Sequence, residues 1–250
     1  SFKGRLDPSA GTGTVTIGAS GVIRLAAGSG AGMSINNSSA ATLVNNGLIT
    51  AEASGRTLAF NNTTLTNNGT LQVTAGTLDV SPTSWTNPGS ITAASGAALI
   101  FGGSWSNAGT LSVTGATLTL GGTFTTAGLG TFTRSGGTVN LTGTLNNSAA
   151  TLTLDAGTGS WNLLGGTINN GSVAQSDGST LVATSSGGTL SSVAISGDVL
   201  LNTTSANVLV TGTTSFTAAR LSANSVYLSL APGYTLNSLV SVEGAATGTR

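Results

Sequence analysis

The sequence predicts an all-β fold of one kind: a single-stranded parallel β-helix, or β-solenoid, of about 20–22 residues per coil and right-handed. Three observations point there. An Asn-x-Gly tripeptide returns at an almost constant interval. Apolar residues come in short bursts of period two, broken by turn residues. Residues that favour helices are scarce, since only 6% of the 250 residues are charged while glycine occurs 38 times.

The repeat sets the register. Asn45-Asn46-Gly47, Asn67-Asn68-Gly69, Asn87-Pro88-Gly89 and Asn107-Ala108-Gly109 place their glycines 22, 20 and 20 residues apart. Thr126-Ala127-Gly128 is a degenerate copy, and Asn169-Asn170-Gly171 restores the motif further on. Four residues before the glycines stand Leu43, Leu65, Trp85, Trp105 and Phe124, which predict one internal ladder running from lap to lap. Ile49, Leu71, Ile91 and Leu111 predict a second. A third comprises Leu58/Phe60, Leu78/Val80, Leu99/Phe101 and Leu118/Leu120. One coil cannot bury its apolar residues, whereas stacked coils spaced about 4.8 Å apart join them into a continuous core. The Asn-x-Gly sites are expected at corners, where Gly and Asn accept positive φ, with stacked Asn side chains bonded up the column.

The repeat is clearest over 43–145 and looser afterwards, and no linker divides the chain. The expectation is one solenoid domain over 1–250, with 1–20 as an entry or cap and 221–250 as an exit or cap. The opening Ser1-Phe2-Lys3-Gly4-Arg5 has neither a signal-peptide core nor an initiator Met, and reads as part of something longer.

The phrases Asn-Asn-Gly-x-Ile/Leu, as in Asn45–Ile49, and Gly-Thr-Leu-x-Val, as in Gly76–Val80, resemble the β-helical shafts of filamentous-haemagglutinin-type adhesins and autotransporter passengers of Gram-negative bacteria. The resemblance spans residues 12–210. It implies a non-enzymatic shaft or fibre-forming module, extracellular and displayed on the cell surface. It also implies self-association into fibres or a layer, or contact with host or surface carbohydrate or protein.

Composition narrows the chemistry. There is no His or Cys, so no imidazole base, thiolate or ordinary zinc site is available, and no cofactor is expected. Seven basic against seven acidic residues give no net charge, which argues against nucleic acid as a partner. No apolar run is long enough to span a bilayer. The rival enzyme reading, a polysaccharide hydrolase or lyase, needs paired carboxyls. Asp155, Asp177 and Asp198 are one coil apart and form the candidate catalytic or cation-binding set, although Asp-Gly and Gly-Asp are also ordinary turn dipeptides. Arg134, 21 residues before Asp155, is expected to make an ion pair. A third reading is binding to ice or another crystalline surface. Thr64-Leu65-Thr66, Ser84-Trp85-Thr86, Ser104-Trp105-Ser106 and Thr123-Phe124-Thr125 would array outward hydroxyls at β-spacing. Hydroxyls also flank the other bursts, so the sequence singles out no face.

Overall fold

The computed structural model describes residues 4–6, 13–36, 42–61 and 64–244. It is an all-β solenoid of stacked parallel strands, and among the described residues the helical element is a single 3-10 turn at Ala127–Leu129. The chain divides into two compact units, Ser1–Thr138 and Val139–Arg250.

In unit 1 one lap shows the plan. Thr77–Val80 lies on a first wall, Ser84–Asn87 on a second and Ser90–Ala93 on a third. Each strand pairs in parallel with its equivalents one lap before and one lap after. Leu78 lies between Leu58 and Leu99, Trp85 between Leu65 and Trp105, and Ile91 between Leu71 and Leu111. Thr and Ser alternate with large apolar residues in these strands. The pleat therefore sends the apolar set inward and the hydroxyls outward. Leu78, Val80 and Ile91 are fully buried and Trp85 nearly so. Each such side chain contributes about 1.5–3 kcal/mol by leaving water, which a single lap could not obtain. The third wall is a six-stranded sheet running from Val22–Leu25 to Thr131–Ser135.

Unit 2 follows the same logic less regularly. Trp161–Leu163 pairs with Leu181–Ala183, and Thr167–Asn169 with Thr189–Ser191. Its third stack holds three strands, Thr151–Leu154, Ser172–Gln175 and Ala194–Ser196.

The Asn-x-Gly sites of Asn45/Gly47, Asn67/Gly69, Asn87/Gly89 and Asn107/Gly109 do lie at the bends between second- and third-wall strands, but the positive φ expected there is corrected. None of these eight residues has positive φ. The four asparagines end second-wall strands with their side chains buried inside. The glycines answer a different need, close approach. A Cβ on Gly69 would run into the Gly47 carbonyl, one on Gly89 into that of Gly69, and one on Gly109 into that of Gly89. Left-handed turns occur instead between the third and first walls, at Gly55, Gly76, Gly96 and Gly115. Only at Asn170-Gly171, in unit 2, does the motif turn left-handed, with φ of 61° and 63°.

Within 1–20, Gly4–Leu6 and Thr14–Ile17 are wall strands paired with Met33–Asn36 and Thr42–Asn45. Within 221–250, Tyr227–Leu230 and Leu239–Val242 continue the parallel pairing and expose Tyr227, Leu239 and Val242.

Candidate functional site

The second wall of unit 1 carries the strongest candidate surface. Its inward ladder, Leu43, Leu65, Trp85, Trp105 and Phe124, is buried throughout. The Trp85 and Trp105 rings stack at 5.5 Å, and Trp105 and Phe124 at 4.4 Å. Phe101 from the first wall meets both indoles edge-on, 4.8 Å from Trp85 and 5.1 Å from Trp105. Each indole N–H is also satisfied: Trp85 donates to the Gly102 carbonyl and Trp105 to that of Gly121, both at 2.9 Å. These rings are a packed floor rather than a platform open to a ligand.

Above this floor the hydroxyls fall into register. Thr64, Ser84 and Ser104 form one outward column with Thr123 continuing it, and Thr66, Thr86 and Ser106 form the other. Toward the start of the chain the first column extends through Thr42 to Thr14, whereas the second meets Val44 before Thr16. Over the aromatic laps the two columns border a shallow groove. Thr64, Ser84, Thr86, Ser104, Ser106, Thr123 and Thr125 are exposed and Thr66 is half-buried; on the first wall Thr77, Asp79, Ala98 and Ile100 are half-buried, while Thr57 and Thr117 are exposed. On the third wall Thr70 and Ser90 share a hydrogen bond at 3.1 Å. Among the described residues the hydroxyls of Thr64, Thr66, Ser84, Thr86, Ser104 and Ser106 have no such intramolecular partner. Exposed threonines also stand on the other walls, among them Thr117 on the first and Thr110 on the third, so what marks the second wall is the two aligned columns over the aromatic floor.

The acids behave otherwise. Asp155 turns into its own corner, its Oδ1 accepting from the backbone N–H of Gly157 at 2.8 Å and of Thr158 at 2.9 Å. Those bonds, led by Thr158, hold its carboxyl below the ordinary aspartate value despite some desolvation. Asp177, at a left-handed position, approaches the same corner and accepts from the Ala156 N–H at 3.5 Å. Asp198 instead begins the strand Asp198–Leu201 and pairs with Arg220, which also reaches Glu243; both ion pairs measure 2.5 Å. The structure thus brings two of the three acids to one corner and commits the third elsewhere. Among the described residues no group of three His, Cys, Asp or Glu side chains is placed to hold a metal ion. Arg134 donates to the carbonyls of Gly136 and Gly137, at 2.9 and 2.7 Å.

No helix among the described residues is long and apolar enough to cross a membrane. No protein family, curated protein or solved structure matches this chain.

Proposed function

We propose that this chain is a non-enzymatic structural and adhesive β-solenoid, a shaft or fibre-forming module displayed outside a bacterial cell, which makes contact through the second wall of unit 1. The supporting observation is the pair of register-aligned hydroxyl columns, exposed apart from the half-buried Thr66, whose members spend no hydrogen bonds on one another. Such a surface offers donors and acceptors at a fixed repeat of about 4.8 Å with no charge to steer or repel. It suits a neutral, repeating partner such as an uncharged polysaccharide. Binding of this kind depends little on salt.

The test is retention of the purified chain on insoluble neutral and acidic polysaccharides, beside the double variant Ser84→Arg/Ser104→Arg. The expected result is salt-insensitive retention on a neutral polymer by the native chain and loss of it in the variant, with an unchanged circular dichroism spectrum. Retention that survives in the variant, or none by the native chain on any polymer, overturns the reading.

The same alignment favours a second reading, binding to ice or another crystalline face. Ser104 and Ser106 interrupt the threonine methyl plane that a flat lattice would meet. Thermal hysteresis of the native chain would establish this reading, and its absence would remove it.

A further inference from the structure

The chain holds three Asn-Gly dipeptides, at 46–47, 68–69 and 170–171. Glycine's lack of a Cβ lets its backbone nitrogen approach the side-chain carbonyl carbon of the preceding Asn with little steric resistance. The fold treats the three pairs differently. The Gly47 N–H donates to Asn45 Oδ1 at 3.1 Å, and the Gly69 N–H to the Asn45 backbone carbonyl at 2.9 Å. At the third pair the Asn170 N–H is held by the Ser191 carbonyl at 2.8 Å. The peptide unit that follows is not held: among the described residues neither the Asn170 carbonyl nor the Gly171 N–H has a hydrogen-bond partner. Asn170 is exposed, and its side-chain amide makes one long contact, 3.3 Å to Ser148 Oγ. Both residues sit in the left-handed region, which Gly tolerates and Asn only at a cost. The Asn170–Gly171 peptide unit is therefore anchored by no hydrogen bond of its own, while the chain on either side is fixed by the Asn170 N–H and by the Gly171 carbonyl, which accepts from the Ala194 N–H at 3.0 Å.

We infer that Asn170 is a site of spontaneous modification, the Asn-Gly pair at which the folded chain leaves succinimide formation open. The Gly171 nitrogen loses its proton to solvent and attacks Cγ of Asn170. An N–Cγ bond forms, the Cγ–Nδ2 bond breaks, and the amide nitrogen leaves as ammonia after taking a proton from water. Water then opens the five-membered imide at either carbonyl, giving an aspartyl or an isoaspartyl linkage. The net reaction consumes one water, releases one ammonia and involves no oxidation. It places a new negative charge at a corner of unit 2.

The experiment incubates the full native chain at mildly alkaline pH, digests samples with pepsin in acid and maps deamidated and isoaspartyl peptides by mass spectrometry. A parallel sample is incubated in denaturant. In the native chain, position 170 should convert at least about tenfold faster than 46 or 68, the factor expected when one or two hydrogen bonds must open first at those sites. In denaturant the three should converge. Equal or slower conversion at 170 in the native chain, or the same acceleration of all three by denaturant, overturns the inference.

Discussion

Asn87 donates its side-chain amide to the side-chain carbonyl of Asn107 at 2.6 Å, across one lap and sealed from solvent. This is one link of a directed column. Asn45 donates to Asn67 at 2.7 Å, Asn67 to Asn87 at 2.5 Å, and Asn107 to the Leu129 carbonyl at 2.6 Å. The column ends where Thr126 replaces asparagine, and the 3-10 turn Ala127–Leu129 supplies a backbone oxygen in its place.

Substituting Asn87→Ala leaves the Asn107 side-chain carbonyl buried without its donor and takes from the Asn67 amide its shortest bond, leaving it the longer contacts to the Gly69 and Ser90 carbonyls. An orphaned buried group costs about 1–3 kcal/mol. Unit 1 should therefore lose about 1–3 kcal/mol, read as a lower urea midpoint. An unchanged midpoint would show that the column contributes nothing to stability.

Two glycine substitutions separate close approach from backbone conformation. Gly96 has φ of 77° with open space where a Cβ would stand, so Gly96→Ala should cost only the left-handed penalty of about 1–2 kcal/mol. Gly89→Ala drives a methyl group into the Gly69 carbonyl and forces adjacent laps apart, for about 3 kcal/mol or more. Thermal unfolding of both variants should rank Gly89→Ala as the more damaging. The reverse order would show that close approach is not what requires glycine at position 89.

Trp105 is stacked between Trp85 and Phe124 and hydrogen-bonded to Gly121. Trp105→Ala should cost about 3–5 kcal/mol, and Trp105→Phe less, because it keeps a ring but orphans one carbonyl. Near-ultraviolet circular dichroism checks the geometry independently. The stacked indoles, with planes 15° from parallel, should give a coupled signal that either variant abolishes. A spectrum unaffected by Trp105→Phe would rule out that stacking.

Much of the second-wall register was legible because Leu65, Trp85 and Trp105 keep one phase relative to Asn-x-Gly, and a slip of one residue would turn every ring outward. The burial of the asparagines was harder to read. Asn-Gly is a turn signal by local preference, and only pairing across laps turns Asn87 into an interior donor. The acids show the opposite failure. Asp155, Asp177 and Asp198 have the spacing of a stack, but unit 2 varies its corners, so Asp155 and Asp177 fall in turns while Asp198 opens a strand. The partnership of Arg220 with both Asp198 and Glu243 is likewise spread over separate strands of one wall.

The pH response of unit 2 should centre on the Asp155 corner. Its carboxylate is favoured by the N–H groups of Thr158 and Gly157, so the folded chain holds it at a lower pKa than the unfolded chain. A carboxylate depressed in this way stabilises the fold at pH values above its unfolded pKa, and the contribution fades as pH falls through the folded value. The native chain should keep a constant thermal midpoint near neutrality and lose stability below about pH 4, where ordinary aspartates begin to protonate. Asp155→Asn cannot titrate there. That variant should start with a lower midpoint at neutral pH and then decline less steeply in acid, so that the two curves converge. Thermal melts of both proteins across this range provide the check, and parallel curves would place the acid-sensitive group elsewhere.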